Sequence, residues 1–237
     1  MLGLSIAYTS SCGVVHGCSY KLLPELRSED GRGKERQMRF SIIIPAHNAG
    51  HRIWKMLESI RRQAFEDYEI IVIADACDLE DKTEAVARAY GCKVYPIDAG
   101  NPGLARNAGL EHASGEWILF CDDDDWWIND HILEQLDREI AVMDDVPDMI
   151  QCAFVYGNKG PTVTGRGRIW PNVWSKVWRR NAIGETRFRN VYPDDDLRFV
   201  EDMLKKKIKM ICLPLLWYHY NYMRPGSITW TVSGEKL

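Results

Sequence analysis

Four consecutive aspartates, Asp122 to Asp125, directly follow the apolar run 117–121, which is typical of a buried strand. Adjacent carboxylates repel one another unless a cation lies among them, so the cluster is locally unfavourable without a partner. Hard divalent cations such as Mg²⁺ bind one or two protein carboxylates together with substrate phosphates. Because a strand end holds such side chains rigidly, the cluster indicates a metal site. A solvated acidic turn that caps the next helix is the alternative.

Three further aspartates, Asp194 to Asp196, follow Pro193 at the start of a segment with helical periodicity. Acidic residues stabilise a helix N-terminus, so a purely structural role accounts for them. The first turn of a helix can also direct one carboxylate into a cleft, where it could act as a general base. The residues alone leave both roles open. Glu201 and Asp202, later in the same segment, are interpreted as a solvated helix face.

The segments that carry these residues alternate between two patterns. Between residues 40 and 150, short apolar runs alternate with helix-period segments, which predicts the order β-α-β-α-β-α-β-α. This order is typical of an α/β fold with a mainly parallel, Rossmann-like sheet flanked by helices. Ligands bind such sheets beyond the carboxyl ends of the strands. That rule selects four segments, which are residues 45–48, 75–78, 98–107 and 122–125.

Beyond residue 150 the pattern is looser. Strands are predicted over 149–156 and 208–212, and helices over 174–180 and 194–207. Residues 157–169 are rich in Gly, Thr and Arg, which favours a loop or hairpin. The segment that follows residue 212 is aromatic and is predicted to be irregular.

Composition places the 237-residue chain among ordinary globular proteins, with 46% hydrophobic and 27% charged residues. The net charge of −4 disfavours a nucleic-acid partner. Seven cysteines without a C-x-x-C pair are interpreted as buried thiols in a reducing compartment. Residues 1–37 match neither a signal peptide nor a membrane span, and we expect an extension that is disordered or weakly attached. The expected location is cytoplasmic, with attachment to the inner face of a membrane left open.

Four segments, in order, resemble motifs of the family 2 glycosyltransferases. They are residues 41–48 (SIIIPAHN), 69–75 (EIIVIAD), 103–109 (GLARNAG) and 115–125 (GEWILFCDDDD). Further similarity lies in VWSKVWRR at 173–180, Phe188, DDLRF at 195–199 with Asp in place of Glu, WYHY at 217–220 and GSIT at 226–229. Each motif alone is weak, but their order and spacing over residues 39–230 are specific.

The resemblance implies a GT-A fold, a nucleotide-sugar donor, a divalent metal (Mn²⁺ or Mg²⁺) and inversion at the anomeric carbon. It implies that Asp124 ligates the metal, that Asp122 binds metal or ribose, and that Asp196 is the catalytic base. The residues implied to contact the nucleotide sugar are Pro45, His47, Asn48, Asp75, Arg106, Asp122 and Asp123. The segment 75–78 reads DACD where the family often has DDGS, which leaves the base preference open.

Several of these roles have structural alternatives. Asp75 could cap the following helix, His47 could be a structural histidine, and Arg106 could pair with a site aspartate. Candidates for contact with the acceptor or a phosphate are Lys176, Trp174, Asp195 and His219. Tryptophan faces stack on sugars, but core packing explains this tryptophan equally well. The histidine lies among tyrosines, where a packing role is equally compatible.

The expected function is a metal-dependent inverting glycosyltransferase. It would move a sugar from a nucleotide-diphosphate sugar, a UDP-sugar first, to a glycan, polysaccharide or lipid-linked acceptor. Residues 38–150 would form the donor half, and residues 151–237 the acceptor half and tail. One alternative is an inactive GT-A domain that binds carbohydrate or a protein partner. Another, a haloacid-dehalogenase-type phosphatase, is disfavoured because Trp126 stands where that motif has Thr or Val. The oligomeric state stays open.

The net charge conceals two opposite regions. Residues 122–125 carry four negative charges, whereas residues 166–189 carry seven basic residues against Glu185, a net charge of +6. This separation predicts an acidic donor side and a basic acceptor side, the latter facing a phosphate-bearing acceptor, an anionic glycan or a membrane. Scattered solvated arginines are the alternative.

Overall fold

A nine-stranded sheet organises the computed structural model, which describes residues 38–162 and 169–222. The strands in chain order are β1 (Phe40–Ala46), β2 (Tyr68–Asp75), β3 (Lys93–Ile97), β4 (Trp117–Phe120), β5 (Trp126–Trp127), β6 (Met149–Tyr156), β7 (Pro161–Thr162), β8 (Lys176–Arg179) and β9 (Met210–Tyr220). The helices are α1 (Trp54–Arg61), α2 (Thr83–Ala89), α3 (Pro102–His112), α4 (Ile132–Ala141), α5 (Arg180–Ile183) and α6 (Asp195–Lys205). The predicted extension over residues 1–37 and the GSIT segment at 226–229 lie outside the described residues.

The sheet order is β3-β2-β1-β4-β8-β6-β9-β5, with β7 paired to β6. Strands β1 to β4, β6 and β9 share one direction, whereas β8 and β5 run against their neighbours. The prediction of a mainly parallel α/β sheet is therefore confirmed. After β3 the chain crosses over β2 and β1 to form β4, so a topological switch point lies between β1 and β4.

Two apolar layers cover the two faces of the sheet. Every residue of β1 and β4 is buried, because both faces of these strands are packed. On one face Ile42 and Ile44 pack with α1, α2 and α4. On the other face Ile43 packs with α3 and α6. Helix α3 lies so close to β1 that a Cβ at Gly109 would overlap the Ile43 side chain.

Glu69, at the amino-terminal end of β2, joins four parts of the chain. Its carboxylate accepts hydrogen bonds from the Ser41 hydroxyl (2.6 Å), from the backbone N–H and hydroxyl of Ser114 (2.7 and 2.8 Å), and from Lys93 Nζ (2.7 Å). Burial disfavours the charged carboxylate, but these donors outweigh it and lower the pKa of Glu69 from 4.5 to about 2. The network fixes the sheet edge opposite the carboxyl ends of the strands.

The region beyond residue 150 corrects two predictions. The helix predicted over 174–180 is instead strand β8 followed by the single turn α5. Because β8 pairs with β4 on one side and β6 on the other, Val177 and Trp178 are buried on opposite faces of the sheet. The segment predicted as irregular after residue 212 continues β9 to Tyr220. A bulge that begins at Pro214, which has no N–H to donate, divides that strand. The register against β6 shifts between Leu213 and Leu216 and again between Leu216 and Tyr218.

The basic residues of segment 166–189 do not cluster at the carboxyl edge of the sheet. Arg179 pairs with Trp117, the first residue of β4, because β8 is antiparallel to β4. Arg179 and its neighbour Arg180 therefore lie at the amino-terminal edge. Arg180 and Arg187 line a cavity of about 320 Å³ there with Leu110 and Ile183. These arginines therefore lie away from the acidic turn, and the basic acceptor side stays a prediction. Arg166 and Arg168 lie outside the described residues.

Among the described residues, no helix is long and apolar enough to cross a bilayer. The described cysteines are free thiols; Cys121 and Cys152 are buried as predicted, whereas Cys212 is exposed. Cys212 stands in the β9 half that precedes the bulge, where residues alternate between exposed and partly buried positions.

We predict that Glu69→Gln lowers the free energy of unfolding by about 2 kcal/mol at pH 7, because it removes a charged acceptor from four donors. The folded-state pKa lies below the ordinary value of 4.5, so the carboxylate stabilises the fold above that pH and this contribution is lost as the pH falls toward about 2. Urea unfolding at pH 7 and at about pH 3.5 should therefore give a smaller difference from wild type at the lower pH.

Glu84→Gln is the control, since Glu84 forms only an exposed helix pair with Arg88 and should change stability by less than about 0.5 kcal/mol. If Glu69→Gln left the free energy of unfolding unchanged, or lowered it equally at both pH values, the stabilising role assigned to the Glu69 carboxylate would be wrong.

Candidate active site

A buried arginine joins three carboxylates at the carboxyl edge of the sheet. The Arg106 side chain is 6% exposed and lies in the second turn of α3. Nη2 donates to Asp122 Oδ1 at 2.8 Å, and Nη1 lies 2.8 Å from Asp195 Oδ2 and 3.0 Å from Asp196 Oδ1. Residues far apart in sequence thus meet at one point. In the structure Arg106 therefore pairs with site aspartates, which was the alternative to its predicted contact with the nucleotide sugar.

Helix α3 brings Arg106 to this point through its N-terminal geometry. Asn101 caps the helix by accepting a hydrogen bond from the Leu104 N–H at 3.0 Å, and Pro102 occupies the first turn. A Cβ at Gly103 would lie 3.0 Å from Asp195 Cβ and 3.1 Å from Phe188 Cβ. The absence of a side chain at Gly103 therefore lets the start of α3 approach the start of α6.

The charges at this point do not balance. Burial raises the pKa of Asp122, and the nearby Asp196 and Asp124 raise it further, while Arg106 opposes the rise. Burial likewise raises the pKa of Asp195 to about 6 despite the guanidinium. One arginine therefore does not neutralise the carboxylates that surround it, and additional positive charge would stabilise the cluster.

Asp123 and Asp125 point away from this cluster and bind other parts of the chain. Asp123 is 9% exposed and accepts two hydrogen bonds from Arg52, at 2.9 and 3.0 Å. Arg52 also donates to the backbone carbonyls of His47 and Asn48, so it links the ends of β1 and β4. The fully buried Asp125 accepts the backbone N–H of Asn221 at 2.7 Å. Both carboxylates hold the loops around the site.

The C-terminal end of β9 clamps the acidic turn. The Asn221 side chain donates to the Asp124 carbonyl at 3.2 Å, and the backbone N–H of Asp122 donates to the Tyr218 hydroxyl at 2.9 Å. Asp124 itself is partly exposed. Arg52 and Asn221 escaped the sequence analysis, and Tyr218 entered it only as part of the WYHY motif, without a role. A signal for Arg52 exists in its spacing of four residues from Asn48; Asn221 gave none because β9 was expected to end earlier.

The ends of β1 and β2 form an open cleft beside the acidic turn. Asn48, which has a left-handed backbone (φ 45°), donates to Asp78 Oδ2 at 2.8 Å and accepts the Asp78 N–H at 2.8 Å. His47 Nδ1 lies 2.9 Å from the Asp75 carbonyl, and Pro45 is buried within β1. The cleft has a volume of about 670 Å³ and is lined by Asn48, His51, Asp78, Leu79, Glu80 and Asp81.

Asp75 supports the loop that leads into α3. Its carboxylate is 4% exposed and accepts the backbone N–H groups of Ala99, Gly100 and Asn101 at 2.7 to 2.9 Å. It therefore does not cap the helix after β2, which was the alternative role. Through Asn101 it contributes to the placement of α3 and of Arg106.

The acceptor candidates occupy different environments. Asp195 lies in the Arg106 cluster. Lys176 is fully buried, and its ammonium group donates to backbone carbonyls. Trp174 is 5% exposed and stacks on Tyr218 and Tyr220, so packing accounts for it. His219 stacks on Trp126 at 3.9 Å between ring centroids, and burial lowers its pKa below 6.5.

The donor set at the carboxyl edge fits a hard divalent cation. Asp122 and Asp124 offer carboxylate oxygens beside an excess of negative charge, and the Asp122 side chain is 27% exposed. No group of three potential metal-binding side chains is found among the described residues. Two carboxylates suffice for Mg²⁺-type sites in which substrate phosphates complete the coordination.

Comparison with known proteins identifies the family. Residues 41–204 match the family described as Glycosyl transferase family 2, and the chain belongs to that family. It is 26% identical over 212 residues to the amylovoran biosynthesis glycosyltransferase AmsB of Erwinia amylovora, covering 78% of this chain and 70% of AmsB. It is 35% identical over 185 residues to the poly(ribitol-phosphate) beta-N-acetylglucosaminyltransferase TarS of Staphylococcus aureus, covering 70% of this chain. That match spans 31% of TarS.

Solved structures have the same fold. Residues 1–349 of S. aureus TarS in complex with UDP-GlcNAc superpose with a TM-score of 0.68 and 22% identity, covering 82% of this chain and 61% of that one. The mannosyltransferase PcManGT of Pyrobaculum calidifontis, in complex with GDP-Man and Mn²⁺, gives a TM-score of 0.63 and 18% identity, covering 82% and 60%. The predicted GT-A fold is therefore confirmed.

We predict that Arg106→Gln lowers the free energy of unfolding by about 3 kcal/mol at pH 7, because it leaves three partly buried carboxylates without their cation. Urea unfolding measures the loss. Arg88→Gln, which breaks an exposed pair with Glu84 and a 3.5 Å hydrogen bond to the Val94 carbonyl, is the control and should cost less than about 1 kcal/mol.

The double variant Arg106→Gln/Asp195→Asn should lose less free energy of unfolding than the two single variants lose in sum. In the double variant the Asp195 carboxylate, which would lack its cation, is no longer present. Strict additivity would mean that Arg106 and Asp195 do not interact in solution.

Proposed function

We propose that this member of glycosyl transferase family 2 transfers a sugar from a nucleotide-diphosphate sugar to an acceptor hydroxyl, with inversion at the anomeric carbon. The observation that carries the proposal is the convergence of Asp122, Asp195 and Asp196 on Arg106 at the switch point of the sheet. This convergence supports an acidic edge that would accept a cation and, beside it, a carboxylate that would take the acceptor proton. The preferred donor is a UDP-sugar, because TarS has been crystallised with UDP-GlcNAc.

The donor would lie across the carboxyl ends of β1, β2 and β4. The open cleft beside Asn48 and Asp78 has room for a nucleotide, and its walls offer hydrogen-bonding groups. His47, Asn48 and the Asp75-supported loop would line the nucleotide site. Asp122 and Asp124 would hold Mn²⁺ or Mg²⁺, which when bound neutralises the departing diphosphate. The crystallisation of PcManGT with Mn²⁺ supports a metal of this type.

Asp196 is the proposed general base. Its Oδ2 accepts the Val173 N–H at 3.0 Å, its Oδ1 lies 3.0 Å from Arg106, and the side chain is 22% exposed. The acceptor hydroxyl would give its proton to this carboxylate while its oxygen bonds to the anomeric carbon. The bond between that carbon and the diphosphate oxygen breaks, and the nucleoside diphosphate leaves with the bonding electrons. The acceptor is proposed to be a glycan, polysaccharide or lipid-linked saccharide, in keeping with the names of AmsB and TarS.

The first test is nucleotide release from a panel of UDP-, GDP- and dTDP-sugars, with Mn²⁺ and after chelation. We expect release from UDP-sugars that depends on the metal and falls at least tenfold in Asp124→Ala. Full activity in Asp124→Ala would show that the metal assignment is wrong. No turnover of any donor, combined with saturable binding of a nucleotide sugar, would instead favour the inactive binding domain.

The second test concerns the base. Asp196→Asn should lower kcat by about 10²- to 10⁴-fold while leaving the donor KM within about twofold, because the amide cannot accept the proton. Asp202→Asn is the matched control, since Asp202 lies on the same helix and only pairs with Arg189 and Lys205. Equal effects of the two substitutions would remove Asp196 from the mechanism.

A further inference from the structure

Lys176 is a fully buried lysine that binds the backbone of the loop before β8. Its Nζ donates to the carbonyls of Trp170 at 2.7 Å and Asn172 at 2.6 Å, and to the Ser175 hydroxyl at 3.3 Å. A buried ammonium group requires such acceptors, because their absence would leave a desolvated charge. The two short bonds tie residues 170 and 172 to the first residue of β8.

The same loop contacts the proposed base. The backbone N–H of Val173, one residue after the Asn172 carbonyl, donates to Asp196 Oδ2 at 3.0 Å. The Trp170 N–H donates to the buried Gln151 of β6 at 2.9 Å, which adds a second anchor. Displacement of this loop would therefore break bonds to two strands before it could move the Val173 N–H.

We propose that Lys176 is a positioning residue for Asp196, acting through the backbone of residues 170–173. This inference rests on the proposed function, in which Asp196 is the base. It also reassigns Lys176, which the sequence suggested as an acceptor or phosphate contact. A side chain with no exposed surface and two backbone acceptors has no face left for a substrate.

The contacts that Lys176 makes with this loop explain how it could influence the rate of sugar transfer. The acceptor hydroxyl must lie within hydrogen-bonding reach of the base, and a misplacement of about 1 Å can cost about a hundredfold in rate. Arg106 forms an ion pair at 3.0 Å with one oxygen of Asp196, and the Val173 N–H donates a hydrogen bond to the other. Burial lowers the pKa of Lys176 to about 7, and Asp196 is the strongest influence in the opposite direction.

The test compares Lys176→Met with Val177→Ala, using nucleotide release from the donor that the wild type turns over. Methionine keeps an unbranched chain but removes the donors, whereas Val177→Ala weakens the packing of the same strand and leaves the Lys176 donors in place. We expect Lys176→Met to lower kcat about 10- to 100-fold with the donor KM within about twofold. Val177→Ala should reduce stability and leave kcat within about twofold.

The split between kcat and the donor KM gives a readout that general destabilisation would not produce, because the substitution leaves the donor site in place. A kcat loss in Lys176→Met equal to that of Val177→Ala overturns the inference.

Two further measurements test whether the loop before β8 holds Asp196 in place. If Lys176→Met does not fold, Gln151→Leu removes the second anchor and should lower kcat in the same direction; an unchanged kcat overturns the inference. Hydrogen exchange at the Val173 amide needs no turnover and should accelerate at least tenfold in either variant. Unchanged exchange overturns the role of Lys176 even in an active enzyme. Accelerated exchange in a protein that turns over no donor would leave the loop assignment standing and refute the proposed function.

Discussion

The site depends on a single buried guanidinium surrounded by more negative charge than it can neutralise. Arg106 draws the acidic turn after β4 and the first turn of α6 to one point, although these segments are more than seventy residues apart. Isolated carboxylates at this depth would be protonated or would separate. With the guanidinium they converge, although burial, together with the neighbouring carboxylates, still raises the pKa of Asp122 and of Asp195. A divalent cation is the chemical partner that would relieve such an imbalance.

The rest of the fold supports this arrangement from two sides. On one side, Asp75 and Asn101 hold the loop and the cap that aim α3 at the cluster. On the opposite side, β9 ends against the acidic turn through Tyr218 and Asn221. Polar groups that bind backbone, rather than substrate, therefore occupy much of the carboxyl edge. Because these polar groups hold the backbone around the cluster, closely spaced like charges persist in a stable domain.

The sequence predicts some features of the molecule well and others poorly. The parallel half of the sheet was predictable because continuous apolar runs between helical segments leave few other arrangements. The short strand β8 was not, since four residues with buried groups on both faces resemble a helix turn as much as a strand. Asp122, Asp195 and Arg106 were singled out individually. Their meeting depends on long-range packing that spacing in sequence does not encode.

The close approach of α3 to β1 sets the depth at which the arginine lies. Gly109 follows Arg106 by three residues, and Ile43 occupies the volume that a methyl group at position 109 would need. Even alanine at that position would lift the helix from the sheet and withdraw the guanidinium from its carboxylates. Residues three apart lie on the same face of a helix, so the missing side chain at Gly109 sets how closely the face that carries Arg106 approaches the sheet. The ion pairs of the site thus depend on a residue that has no side chain of its own.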